Sequence, residues 1–129
     1  MSYFELNNIN VALLQETHVS DFRLRSYIDD KFKCSSFWSF GSNDSRGVAI
    51  LIFKNFQFEV EKFKRDYQGR IISVNIASEY GNIKILNLYC PNDIIERRSF
   101  LNSVDPFLMG NYPIIMGGWL EYDRKYKFG

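Results

Sequence analysis

The segments "RGVAILIFK", "FQFEVEKFKR", "RIISVNIAS" and "NIKILNLYC" follow one another almost without interruption between residues 46 and 90. No other feature limits the available folds as much. Several of them alternate polar and apolar residues at period two, the mark of a strand with one buried face. Two of the separators, "DYQG" and "EYGN", carry the glycine and polar residues that hairpins use. Four adjacent strands with short connections predict an antiparallel meander. "INVALLQ" and "YPIIMGG" read as buried strands and "SSFWSF" as an aromatic strand. "SDFRLRSYIDDKFK" reads as a short helix capped by Ser20 or Asp21, with Phe22, Leu24, Tyr27, Ile28 and Phe32 roughly on one face. "DIIERRSFLNSVDPFL" resumes helical spacing behind an Asp93 cap, with Ile94, Ile95, Phe100, Leu101 and Val104 apolar. The order β-α-β-β-β-β-β-α-β defines an α/β layered domain with a mixed sheet. With only "WLEYDRKYKFG" after the last strand, one sheet face is expected to lack a cover.

At 129 residues the chain makes one domain, 1–129. Hydrophobic and aromatic contents of 46% and 17% exclude a disordered segment. Sixteen basic residues balance fifteen acidic ones, so affinity for nucleic acid must come from a local patch rather than from net charge. Cys34 and Cys90 match no zinc or redox spacing and read as reduced thiols of an intracellular protein, nuclear or cytoplasmic. "MSYFELNNIN" has neither the basic nor the apolar region of a signal peptide. No apolar run approaches the ~20 residues that span a bilayer, so no membrane association is expected.

Two strand ends carry chemically capable side chains. Glu16 closes "INVALLQE", followed by Thr17 and His18. A carboxylate there suits a hard cation that takes oxygen ligands, and it equally suits a solvated strand end. His18, the only histidine, could move a proton, orient a phosphate or simply face solvent. Tyr89 and Asn92 flank "CP" at the end of another strand. A phenol and an amide both bond phosphate or metal-bound water; the plainer reading is a core tyrosine and a turn-forming "PND". Lys62, Lys64, Arg65 and Arg70 gather around "DYQG", where they could grip phosphate or stay hydrated. There is no P-loop, G-x-S-x-G, CxxC or HExxH pattern.

Taken together, "INVALLQETH", "SRGVAILI", "NIKILNLYCPND", "RRSFLNSV" and "YPIIMGG" resemble the endonuclease/exonuclease/phosphatase superfamily. They are most similar to the endonuclease domains of LINE-type (non-long-terminal-repeat) retrotransposons. The resemblance runs from about Met1 to Gly118 and keeps the family's motif order. It implies a four-layered α/β sandwich and hydrolysis of DNA phosphodiesters by water with Mg²⁺ or Mn²⁺. On the matching positions, Glu16 takes the place of the metal-binding glutamate. Tyr89 and Asn92 take the places of the residues near the scissile phosphate. His18 matches a histidine with a supporting role, and Arg46 and Gly47 match a region read as structural.

The departures carry their own expectations. The family's first asparagine motif has no counterpart here, and neither does its closing Ser-Asp-His motif. After "IIMGG" the family continues Asp-Phe-Asn, where the aspartate activates water; this chain has Trp119, Leu120 and Glu121. A large indole there would fill the space meant for water and phosphate, although Glu121 or Asp123 could stand in. The chain therefore reads as a partial sandwich, truncated at both ends, with hydrolysis impaired or lost. Two other readings stay open: a non-catalytic module that binds nucleic acid or protein, and a relic without function. Loss of a covering second sheet would expose Val48, Ile50 and Ile52 or their alternating neighbours, and would drive self-association.

Overall fold

The computed structural model describes residues 10–42, 45–54, 56–79, 81–119 and 127–128. Two sheets face each other. The first has three antiparallel strands in the order β1-β3-β2, formed by β1 (Val11–Gln15), β2 (Cys34–Ser39) and β3 (Val48–Phe53). The second runs β4-β5-β6-β7-β8, from β4 (Phe58–Arg65), β5 (Ile71–Ser78), β6 (Gly81–Leu88), β7 (Ile114–Trp119) and β8 (Lys127–Phe128). Its strands are antiparallel except for the parallel β6–β7 pair, whose crossover is the helix α2 (Ile94–Leu108). A 3₁₀ turn at Phe22–Leu24 leads into α1 (Arg25–Phe32).

β3 sits at the centre and explains the layering. Val48, Ile50 and Ile52 project inward against Ile72, Val74 and Ile76 of β5 and Ile85 of β6. Ala49, Leu51 and Phe53 project outward, among Ala12, Cys34 and Trp38, with Ile28 and Phe32 of α1 packed over them. On the far side Phe100, Val104 and Phe107 of α2 cover Ile71, Leu86 and Leu88. Helix, sheet, sheet, helix: the expected four layers are present, and both sheets are in place.

That arrangement corrects the sequence reading in three ways. The meander holds only β4, β5 and β6, because the chain leaves β3 for the other sheet near Lys54, whose N–H donates to Lys33 O at 3.0 Å. Val48, Ile50 and Ile52 are not exposed: every residue of β3 is at most 4% accessible, so the self-association argued from them loses its basis. "VAILIF" is an unbroken apolar run, which a strand covered on both faces needs, whereas the alternating "FEVEKFKR" belongs to a half-exposed edge strand. Finally, β7 is not a buried strand, since Ile114 and Ile115 are 39% and 48% exposed.

Side-chain caps start the 3₁₀ turn and α2, while α1 begins after Leu24 without one. Asp21 accepts from Arg23 N and Asp93 from Glu96 N, at 2.9 and 3.0 Å. The buried face of α2 is Arg97, Phe100, Val104 and Phe107, at helical spacing, while Ile94, Ile95 and Leu101 face out. Phe22, Leu24 and Tyr27 likewise lie exposed, and α1 docks through Ile28 and Phe32. Buried Lys84 satisfies the carbonyl-rich end of α2, donating Nζ to Phe107 O and Met109 O at 2.7 and 2.6 Å. Desolvation, and then the charges of Lys62 and Lys64, pull its pKa down.

Both cysteines are free and buried. The Cys34 thiol is pushed up to about 12, chiefly by desolvation and then by the Asp29 carboxylate. A raised pKa favours the neutral thiol in the folded state. Its contribution to stability is therefore complete below the unfolded thiol's value near 9.0 and is lost as pH rises toward 12. We expect the urea midpoint to fall between pH 9 and pH 11, and to fall less in Cys34→Ala. Parallel pH profiles for the two proteins would refute this.

Candidate active site

The end of β1, the β2–β3 loop, the β4–β5 hairpin tip and the loop after β6 meet at one rim of the sandwich. Backbone bonds join them. Thr17 N donates to Gly47 O, His18 N to Arg46 O, Gly47 N to Gly69 O, all at 3.0 Å, and Tyr89 N to Arg70 O at 2.8 Å. The approach is close enough to demand glycine. A Cβ on Gly47 would strike Thr17 Oγ1, and one on Gly69 would lie 2.7 Å from Gly47 N. The left-handed backbone also gathers here: of the four described non-glycine residues with positive φ, Glu16 (50°), His18 (56°) and Arg46 (64°) belong to these two loops. Strain of this kind persists where the surrounding structure enforces it, and it concentrates at functional sites.

This scaffold sets Glu16 and Tyr89 against each other. The Tyr89 phenol donates to Glu16 Oε1 at 2.7 Å across 73 residues of chain, and Glu16 remains exposed. Arg70 holds Tyr89 from behind, donating Nη1 to Tyr89 O at 3.2 Å with its guanidinium 5.6 Å from the ring centroid. Asn92 lies exposed at the end of the same loop. Arg97 shapes that loop by donating Nε to Pro91 O and Nη2 to Asn92 O, at 3.2 and 2.8 Å. His18 is held through its backbone N–H, and the residue is exposed.

Below the rim lies a contact that the sequence reading did not pick out. Asn87 is fully buried on β6 and donates Nδ2 to Leu14 O and Ala49 O, at 2.9 and 3.0 Å. Its Oδ1 accepts from Gln15 Nε2 at 3.2 Å, and the same Gln15 amide reaches Leu88 O at 2.5 Å. These amides tie β1 and β3 of one sheet to β6 of the other, directly beneath Glu16 and Tyr89. The signal was present: an asparagine inside "KILNLY" is a polar residue where only apolar ones belong, and burial then requires partners.

The basic cluster around "DYQG" does not stay together. Lys64 turns to Pro106 O (3.2 Å) and the Phe107 ring. Arg65 bonds Trp38 O at 3.0 Å among the rings of Phe22, Phe40, Phe63 and Tyr67. Lys62 is exposed on β4, and only Arg70 reaches the site. The hairpin tip is no solvated appendage either. Asp66 Oδ1 accepts from Ser39 Oγ, Arg70 N and Ile71 N, and Gly69 N donates to Ser39 Oγ, locking the tip onto β2.

As a metal centre the Glu16–Tyr89 pair offers one exposed carboxylate, Glu16. Among the described residues no group of three His, Cys, Asp or Glu is placed to hold an ion. That donor set fits Mg²⁺ or Mn²⁺ bound by one carboxylate with water and phosphate oxygens; it does not fit a cage built from protein alone. Trp119 ends β7 in register with Lys127, and Glu121 and Asp123 lie outside the described residues, as does the chain before Asn10. No described helix is long and apolar enough to cross a membrane.

No protein-family profile matches the sequence. Solved structures do match it. Truncated TDP2 from Caenorhabditis elegans is 20% identical, with 95% of this chain and 53% of that one covered and a TM-score of 0.62. An AP endonuclease from Archaeoglobus fulgidus gives 19%, 90%, 48% and 0.62 by the same measures. The 3′-5′ exonuclease NExo from Neisseria meningitidis gives 16%, 88%, 50% and 0.51. The chain thus spans about half the length of these structures. At these identities the likeness defines the fold alone, two facing sheets with helices outside, as in these structures.

Proposed function

We propose that this chain is a domain of the endonuclease/exonuclease/phosphatase superfamily, of the LINE retrotransposon type, whose hydrolysis of DNA phosphodiesters is impaired by Trp119 at the position of the water-activating aspartate. The observation that carries the reading is the 2.7 Å bond between the Tyr89 phenol and the Glu16 carboxylate. It sets a cation-binding oxygen and a hydrogen-bond donor side by side at a strained, exposed rim. When bound, Mg²⁺ or Mn²⁺ supplies Lewis-acid polarisation of the phosphate. The protein's part is to hold that charge with Glu16, fix the carboxylate with the Tyr89 O–H, and offer the Asn92 amide to phosphate oxygens. His18 is suited to orient the phosphate or exchange a proton with solvent.

The test is nicking of supercoiled plasmid in Mg²⁺ or Mn²⁺. Glu16→Ala is expected to reduce conversion to the level of buffer alone. Tyr89→Phe removes one hydrogen bond to a charged group, on the order of 1.5–3 kcal/mol, so about a 10- to 100-fold loss is expected. Equal conversion by wild type and Glu16→Ala sinks the hydrolytic reading.

Trp119, where the resemblance calls for a water-activating aspartate, favours a second reading: a module that binds DNA without cutting it. Retarded but uncut plasmid would select it.

A further inference from the structure

We propose that Arg46 and Arg70 form a second phosphate-binding point beside the Glu16–Tyr89 pair, which takes a neighbouring backbone phosphate of a nucleic-acid strand. This deepens the phosphodiester reading of the centre and rests on it. Both arginines line one cleft of about 610 Å³ between the β4–β5 hairpin tip and α2, with Gln68, Ser99, Ser103 and Phe107 among its other walls. Each is also tied to the centre. Arg70 is bonded to Tyr89 O and stacked on its ring, and Arg46 O receives the His18 N–H two residues from Glu16. We place the scissile phosphate of a strand at Glu16 and its next phosphate in this cleft.

Local charge allows an anion there. Asp66, in the same lining, is committed to Ser39 Oγ and to two backbone N–H groups. Among the described residues neither arginine is within ion-pairing distance of a carboxylate. Glu96, in the first turn of α2, is the other carboxylate of that lining and pairs with neither arginine among the described residues. A guanidinium presents a planar fork of donors that matches two phosphate oxygens at once.

The backbone of Arg46 points the same way. Its φ of 64° lies where glycine sits freely and a residue with a Cβ does not. The plain structural reading, that residues 46 and 47 only lead into β3, accounts for Gly47 but gives no reason for an arginine in that conformation. A half-buried arginine held in that backbone conformation on the wall of a cleft is accounted for by what it binds.

The experiment measures binding of a fluorescently labelled DNA duplex by anisotropy in EDTA, where hydrolysis does not intervene. Arg46→Gly is expected to weaken binding about 10-fold and to reduce the slope of log affinity against log salt by about one. Its thermal midpoint should stay unchanged or rise, because the substitution relieves strain. Arg70→Lys keeps the charge but loses the fork, and should give a smaller loss. Lys62→Ala, outside the cleft, should bind as wild type does. The proposal falls if Arg46→Gly binds normally, if it loses midpoint along with affinity, if Lys62→Ala loses as much, or if wild type does not bind at low salt. Glu16-dependent nicking without a role for Arg46 overturns this point alone. Arg46-dependent binding without nicking overturns hydrolysis alone.

Discussion

Asn87→Leu is expected to destabilise the domain by about 3–5 kcal/mol. The two side chains are close in volume, so the loss comes from unpaired groups and not from a cavity. Leucine leaves Leu14 O and Ala49 O without their donor and the Gln15 amide with one partner fewer, all at the seam between the sheets. Each stranded buried polar group costs about 1–3 kcal/mol. Against a typical total of about 5–15 kcal/mol, the variant should be partly unfolded at ordinary temperature. Urea titration followed by circular dichroism measures it. A Gln15→Ala, Asn87→Leu cycle should show coupling, with the double variant less unstable than the sum of the singles. A loss below about 1 kcal/mol for Asn87→Leu would mean that the apolar packing of β3 against β5 and β6 holds the sheets without the amides.

Gly69→Ala is the second large effect, and Gly81→Ala calibrates it. Both glycines have positive φ, 72° and 109°. A Cβ on Gly81 would meet nothing within 4 Å, so only the conformational preference is lost, about 1–2 kcal/mol. On Gly69 it would lie 2.7 Å from Gly47 N and 2.9 Å from both Gly41 Cα and Phe40 O. All three are backbone atoms, which cannot swing aside. Overpacking then adds to the conformational term, for about 3–5 kcal/mol in all. The displaced loop carries Arg46, so DNA binding should fall as well. Equal losses for the two variants would show that the β4–β5 hairpin tip and the β2–β3 loop are not interlocked.

Layering was legible in the sequence because hydrophobic period reports burial directly. "FEVEKFKR" alternates and is an edge; "VAILIF" does not and is central. The error was to let short separators decide neighbourhood. β3 and β4 are adjacent in sequence but pair with different strands, since a strand covered on both faces cannot end an open meander. Helix caps were equally legible, because Asp21 and Asp93 act within three residues of themselves. Their buried faces were not: the contact of α2 with β5 and β6 selects Arg97, Phe100, Val104 and Phe107 over the equally apolar Ile94 and Ile95.

The candidate site divides in the same way. Glu16 and Tyr89 were named from the chain, and they meet at 2.7 Å. What brings them together was not visible, because it lies in contacts across more than 70 residues and in glycines whose necessity appears only when three loops converge. The basic residues near "DYQG" show the converse. Proximity in sequence suggested one patch, but alternation along β4 sent Lys64 and Arg65 to opposite faces of the strand, leaving Arg70 alone at the rim.

The bond between Tyr89 and Glu16 also has a meaning for synthesis. A ribosome makes Glu16 before Tyr89, and Tyr89 only after the six strands β1 to β6 have been made. Until then the emerging polypeptide has no assembled centre, and a stalled or prematurely ended product that stops short of residue 89 has none at all. The later-made strand thus completes the earlier one, and the Tyr89–Glu16 bond becomes a report that both sheets have docked.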